Sequence, residues 1–151
     1  MTVDRALLKR NELFTTLDDG EAAMLAKKAV SRTYLAGEEI FQENEEAYAI
    51  CVLLEGRVGL MMDVGNGRRL TVTTVEPGEI FAWSGLVAPY QFTSTARAVE
   101  DCTMAAFKSE DLRRMFDENP RLGYQVMRQI SFLIAQRLRD THLQLLGLFG
   151  S

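Results

Sequence analysis

The sequence predicts a mainly β sandwich or barrel flanked by helices. Three observations carry that expectation. Between about residues 31 and 107, short apolar or alternating runs recur roughly every 8 to 12 residues. Glycine-containing turns separate those runs, and helical periodicity is confined to the two ends of the chain. A length of 151 residues suits one domain, since a chain of that size buries about 70 % of its unfolded surface.

The first segment reads as helix, with Leu7, Leu8, Leu13 and Phe14 leading to Asp18-Asp19-Gly20-Glu21. That Asp-x-x-Glu string is a capping box, in which each side chain takes a backbone amide the first turn leaves free. Met24, Leu25, Ala29 and Val30 extend the helical spacing, with Lys27 and Lys28 facing water. From Ser31 to Tyr34 β-branched and aromatic residues alternate with polar ones, and the strands begin. Leu35-Ala36-Gly37-Glu38 is a turn, Glu39-Ile40-Phe41 a short strand, and Tyr48 to Leu54 a buried strand ended by Gly56. Arg57 to Met62 and Leu70 to Val75 form a hairpin across Gly65-Asn66-Gly67, because Asn-Gly suits a tight turn. Pro77-Gly78 makes a further turn, and Val99 to Phe107 closes the series.

The last third is helical. Ser109 is placed as a cap ahead of Glu110-Asp111, with Leu112, Met115 and Phe116 on one face. Asn119-Pro120 supplies an N-cap and a proline at the first helical position. No breaker follows until Gly147, apart from Gly123 in the first turn, so the helix runs roughly 40 Å. The chain thus divides into a barrel with its short helices (1–118) and a long C-terminal helix (119–151). Met127, Ser131, Ile134, Leu138, Thr141, Leu145 and Leu148 keep a four-three spacing, and Val126, Ile130, Leu133 and Arg137 form an adjacent stripe. One stripe packs on the barrel and the other on a partner helix, which predicts a homodimer. A single broad face packed within one chain is the alternative.

Composition excludes several functions. Seventeen Lys and Arg against 21 Asp and Glu give a net charge of −4 and a pI near 5.1, unlike a basic nucleic-acid binder. No apolar run approaches the ~18 residues of a membrane span, and Met1-Thr2-Val3-Asp4-Arg5 lacks a leader pattern, so a cytoplasmic location is expected. Cys51 and Cys102 make no Cys-x-x-Cys pair, and Cys51, in an apolar strand, is expected to be an inert core thiol. The single histidine, His142, excludes a metal site of several imidazoles. No nucleophile–base pair can be assembled, so no catalysis and no metal are expected.

Five stretches, in order, resemble the sensor domain of the Crp–Fnr family of cyclic-nucleotide-binding proteins, over roughly residues 12–146. They are Leu35-Ala36-Gly37-Glu38-Glu39-Ile40-Phe41, Leu54-Glu55-Gly56-Arg57-Val58, Pro77-Gly78-Glu79-Ile80-Phe81, Arg97-Ala98 and Asp101-Cys102. The resemblance implies a double-stranded β-helix, a cupin-like jelly roll, with a long C-terminal helix, and a regulatory role without catalysis. In nucleotide-binding members the ligand cassette begins Phe-Gly-Glu and ends Arg-x-Ala-x-Val-x-Ala. A cyclic phosphate is best held by a helix N-terminus and a guanidinium fork, and the ribose hydroxyl by a carboxylate. Here the cassette runs Phe81 to Ala98, with Ala82 at the glycine position, Trp83 at the glutamate and Phe92 at the arginine. Losing both charged groups removes roughly 1.5–3 kcal/mol each, enough to turn micromolar binding into millimolar. Usual cAMP or cGMP binding is therefore not expected. Glu79 and Arg97 fall on framework positions, and the odd offset of Arg97 from Phe92 turns it to the other face.

The resemblance makes Phe81, Ala82, Trp83, Ser84, Gly85, Leu86, Phe92, Thr93 and Ser94 the candidate pocket. Either Trp83 and Phe92 fill it, or they form an apolar wall for another small ligand, with hydroxyls from Ser84, Thr93 and Ser94. Arg137-Leu138-Arg139-Asp140-Thr141-His142 resembles the family string Arg-Leu-x-x-Thr-Ser, which implies Thr141 and His142 near the pocket mouths of a dimer. His142 then becomes a candidate proton-sensitive group near pH ~6.5, or it is an ordinary solvated histidine. Family transcription factors continue into a helix-turn-helix, whereas this chain ends Leu148-Phe149-Gly150-Ser151. Direct DNA binding is not expected. A stand-alone sensor, the sensor half of a regulator, and a ligand-free interaction module stay open. A second copy, an unidentified small ligand and a protein are the candidate partners.

Overall fold

The computed structural model describes Val3 and residues 5–149. Met1, Thr2, Asp4, Gly150 and Ser151, which the readings of leader and tail used, lie outside the described residues. Helices α1 (Arg5–Lys9) and α2 (Asp19–Ala26) precede eight strands. These are β1 (Val30–Tyr34), β2 (Glu39–Phe41), β3 (Ala49–Glu55), β4 (Val58–Gly65), β5 (Arg68–Val75), β6 (Ile80–Ala82), β7 (Thr95–Ala98) and β8 (Cys102–Lys108). A 3-10 turn, Ser84–Leu86, lies between β6 and β7, and α3 (Ser109–Glu118) and α4 (Pro120–Phe149) follow β8.

The strands form two antiparallel four-stranded sheets, β1-β8-β3-β6 and β2-β7-β4-β5, the expected jelly roll. Strand β3 is buried on both faces except at Glu55. Ile50, Val52 and Leu54 point to the helices, where they meet Leu25, Leu112 and Ile130. Ala49, Cys51 and Leu53 point between the sheets, where they meet Phe41, Leu60 and Phe92. The period of two therefore feeds two cores from one strand. The hairpin turn is as expected, with Asn66 and Gly67 both at positive φ (56° and 72°). The capping box is also present: Asp18 Oδ1 accepts from Glu21 N at 2.8 Å and Glu21 Oε1 from Asp18 N at 3.1 Å.

Several boundaries differ from the sequence reading. Helix α2 stops at Ala26, and Val30 starts β1 opposite Ala106, because the sheet offers this β-branched residue a ladder partner. Leu13 and Phe14 sit in turns but still enter the helix-side core. Tyr48 precedes β3 and is 54 % exposed. Val99 lies in the turn between β7 and β8, so the expected closing strand is two elements. Ser109 does not cap α3: it is the first helical residue, and its hydroxyl donates to Ala47 O at 2.7 Å. The Asn119 amide likewise donates back to Met115 O at 3.1 Å, closing α3, while Pro120 opens α4 as expected. Gly147 does not end α4, which continues to Phe149.

Helix α4, 30 residues or about 45 Å long, shows two stripes. Leu122, Val126, Ile130 and Leu133 are buried against the roll, and Met127, expected in the partner-facing row, packs with them because it lies in the half of α4 that covers the core; Ile134, Leu138, Leu145 and Leu148 are exposed. Among the described residues no helix is long and apolar enough to cross a membrane.

Gly56 joins β3 to β4 at φ +89°, and a Cβ there would run into the Asp101 carbonyl and Cys102. Gly56→Ala is expected to cost about 1–3 kcal/mol, through left-handed strain and the displaced β7–β8 turn, measurable by urea denaturation.

Candidate functional site

The cassette starts where β6 ends. Phe81 and Ala82 still belong to the core between the sheets, but Trp83 turns out of it and packs against the helix-side core. Leu86 follows Trp83 to that side. The 3-10 turn Ser84–Leu86 is pressed onto α3. A Cβ on Gly85 would collide with the Ser109 hydroxyl, so only glycine permits this approach. Arg113 reinforces the contact by donating to Gly85 O and placing its guanidinium 4.6 Å from the centre of the Tyr90 ring.

The far half of the cassette is zipped to the loop before β3. Ala47 N donates to Tyr90 O at 2.8 Å, Phe92 N to Glu45 O at 2.9 Å and Asn44 N to Phe92 O at 2.8 Å. This pairing aims Phe92 into the roll, where it is 2 % exposed. Its ring stacks on Phe41 at a centroid distance of 3.8 Å and 11°, and meets the edge of Tyr48 at 5.5 Å. Phe81 lies nearly parallel to Phe41, with ring centres 6.1 Å apart. The position that the resemblance gives to a phosphate-binding guanidinium thus holds one ring of an aromatic stack.

Trp83 and Phe92 accordingly do not form one wall: the end of β6 separates them, one on each side of the sheet. Trp83 is covered instead by Arg137 of α4, whose guanidinium lies 4.7 Å from its ring centre. Such cation–π contacts contribute roughly 0.5–2 kcal/mol, and this one ties the long helix to the cassette. Thr93 is exposed, Ser94 half-buried, and Thr95 buried with its hydroxyl accepting from Glu43 N at 3.0 Å. Thr141 and His142 lie on the exposed part of α4, and the Thr141 hydroxyl donates to Arg137 O at 2.9 Å, within its own helix. The single chain does not bring them to the cassette. Arg97 faces outward between buried Ala96 and Ala98, as its offset predicts.

Sequence reasoning passed over Glu12, Tyr48, Tyr90, Ser109 and Arg113. Gly85 was the available signal for the α3 contact, since a glycine inside a short helix often marks close approach. Glu12 Oε2 accepts from Ile80 N at 3.2 Å, and Glu12 N donates to Gly78 O at 2.9 Å. These bonds hold the N-terminal segment to the cassette lead-in. Burial pushes the Glu12 carboxyl above its ordinary value of 4.5; the Ile80 amide opposes this, Glu79 adds to it and Arg137 opposes it. Cys51 is an inert thiol as expected, its ionisation pushed up to about 12 by burial, with Arg32 opposing. Among the described residues no cluster of His, Cys, Asp and Glu could hold a metal ion.

A carboxyl with a raised folded-state pKa contributes stability below pH ~4.5 that is lost as pH rises through the folded pKa. Glu12→Gln keeps the acceptor for Ile80 N and removes the titration. Its thermal stability relative to the parent is expected to increase between pH 4 and pH 7, readable from melting curves across about that range.

Comparison with known proteins gives a consistent result. The sequence pattern of the family described as cyclic nucleotide-binding domain matches residues 31–119. A cyclic AMP receptor protein from Thermus thermophilus is 27 % identical over 138 residues, covering 91 % of this chain and 62 % of that protein. A CRP-like cAMP-activated global transcriptional regulator from Mycobacterium tuberculosis is 23 % identical over 142 residues, covering 94 % and 62 %. The chain therefore spans about 62 % of the length of these curated relatives. Among solved structures, a candidate cyclic nucleotide-binding protein from Geobacter metallireducens GS-15 superposes with a TM-score of 0.80 at 31 % identity, covering 90 % of this chain and 98 % of that one. The N-terminal domain of a transcriptional regulator from Streptomyces coelicolor A3(2) superposes with a TM-score of 0.71 at 28 % identity, covering 92 % and 94 %. A family match over more than half the chain, together with the superposition on a solved structure at 31 % identity, means that this chain belongs to the cyclic-nucleotide-binding domain family, in its Crp-like group.

Proposed function

We propose that the chain is a non-catalytic regulatory domain that signals as a homodimer through α4 and does not take cAMP or cGMP in the usual mode of its family. The observation that carries this reading is Phe92, buried and stacked on Phe41 where a phosphate-binding arginine would stand. Burying such a ring contributes roughly 1.5–3 kcal/mol, and a well-placed aromatic pair about 0.5–1.5 kcal/mol more. A nucleotide entering the roll would forgo part of that while finding neither guanidinium nor carboxylate at the two cassette positions, Phe92 and Trp83. Displacing the ring alone weakens affinity by at least about tenfold. The names of the relatives attach cAMP to those proteins, whereas the cassette of this chain departs from the pattern the family resemblance implies at Trp83 and Phe92.

The homodimer rests on the outer face of α4. Ile134 is 36 % exposed and Leu138 55 %, in one row with Leu145 and Leu148. A mostly apolar row of this kind, repeating at four and three with Thr141 as its one polar member between Ile134 and Leu148, suits a helix partner better than water. The cation–π contact at Trp83 offers the route by which a change at the dimer helix reaches the cassette. The length of the curated relatives favours a second reading, in which this domain is the sensor part of a longer transcription regulator. Both readings assign the same role to the residues described.

Calorimetric titration with cAMP and with cGMP is expected to show no saturation below about millimolar concentration. Low-micromolar binding that Phe92→Ala abolishes would overturn the reading. Sedimentation is expected to show a dimer at micromolar protein, and Ile134→Glu with Leu138→Glu to give a monomer whose barrel still melts cooperatively, since two charges cannot remain in an apolar seam. A monomer well above micromolar concentration for the unmodified chain would remove the dimer.

A further inference from the structure

The apolar interior beside Phe92 has a second approach, away from the cassette. A chamber of about 70 Å³ lies between Phe41, Phe92, Cys51 and Met104, and its outer wall includes Arg32, Tyr48, Ala49 and Ala106. The same four residues also line a surface groove of about 300 Å³ that continues outward past Tyr90 and Lys108. Groove and chamber therefore adjoin, with the Tyr48 ring, edge-on to Phe92, between them.

The ladder explains the shape. Arg32 faces Met104 across β1 and β8, and Val30 and Cys51 both face Ala106, so all five point to the inner side of their sheet. At this end the floor narrows to Ala47, Ala49 and Ala106, which leave the space larger side chains would fill. The floor is held in place from α3: Ser109 N donates to Tyr48 O at 3.0 Å and the Ser109 hydroxyl to Ala47 O at 2.7 Å. One wall, Tyr90, is fixed by the Arg113 guanidinium on its face. Three cations, Arg32, Lys108 and Arg113, outnumber the two carboxylates, Glu46 and Glu110. Arg113 is engaged by Tyr90 and Gly85, whereas no ion pair occupies Arg32 among the described residues. Burial raises the pKa of Tyr34, Tyr48 and Cys51, and in all three the Arg32 charge opposes the rise, in keeping with its place in the lining of both groove and chamber.

We propose that this groove is a binding site for a small aromatic carboxylate, with its ring between Tyr48 and Tyr90 over the alanine floor and its carboxylate on the Arg32 guanidinium. Its volume is at the small end of ligand pockets, which suits a single ring. A guanidinium fork matches a carboxylate in two parallel hydrogen bonds, and tyrosine rings favour stacking with another aromatic. The site does not depend on whether the roll itself takes a nucleotide.

The test is an amide-resolved NMR titration of the full chain with benzoate, with benzamide as its neutral isostere and cAMP in a separate titration. Benzoate is expected to give saturable shifts at Ala47, Ala49, Ala106 and Ser109, with benzamide at least about tenfold weaker. Arg32→Gln and Tyr48→Ala alter exposed side chains, and each is expected to weaken benzoate by about tenfold or more while the spectrum stays that of the folded protein. Equal affinity for benzamide, no saturation at tens of millimolar (about the weakest useful range), or undiminished binding to Arg32→Gln would overturn the proposal. So would shifts centred on Trp83, Ser84 and Thr93. Micromolar binding of cAMP would instead overturn the filled-roll reading of the cassette and leave the groove standing.

Discussion

Strand β3 is buried on both faces, and the remaining elements take their positions from the need to cover it. Its even-numbered residues Ile50, Val52 and Leu54 require an apolar layer, which α2, α3 and the first half of α4 supply. Its odd-numbered residues Ala49, Cys51 and Leu53 require another, which the second sheet and the cassette supply. Each apolar side chain taken from water contributes roughly 1.5–3 kcal/mol, so neither cover is optional. Strands β6 and β8 flank β3 on opposite sides, so that only one strand lies between the cassette lead-in and the strand that ends at α3. That proximity allows Gly85, Ser109 and Arg113 to meet.

The cassette inherits its geometry from both cores. One part follows Phe92 inward and the other follows Trp83 to the helices, so a single segment packs on two sides of the same sheet. Where the family resemblance would put two charged contacts to an anionic ligand, this chain makes contacts within itself. Phe92 stacks on Phe41, and Trp83 accepts the charge of Arg137 from α4. The first of these is the stronger, because it buries a whole ring; the second is a partly exposed contact that movement of the helix can break.

Much of the fold was legible because hydrophobic periodicity is local. The capping box, the Asn-Gly hairpin, the proline start of α4 and its two stripes all depend on neighbours within a few residues, and each is present. Errors gathered where a distant partner decided the outcome. Val30 left the helical pattern because Ala106 was there to pair with it. Ser109 and Asn119 have cap chemistry, but one bonds the loop before β3 and the other the preceding helix. In the candidate site, the replacement of the charged positions was readable residue by residue, and Arg97 was correctly turned outward. The opposite facing of Trp83 and Phe92 was not, because the chain leaves strand geometry between them and the alternation rule no longer applies.

The sequence by itself determined the run of short strands between terminal helices, the long two-striped helix, and a cassette segment with no charged residue between Phe81 and Ala96. These follow from spacing and residue type, which are properties of the chain alone. Tertiary structure decided that Phe92 closes the roll while Trp83 joins the helices, that Tyr48 stands outside its strand, and that Arg32 overhangs a groove floored by alanines. Those outcomes depend on which side of a sheet a residue faces and on what another strand, far away in sequence, places opposite it; side-chain volume and charge take on a role only once that register exists.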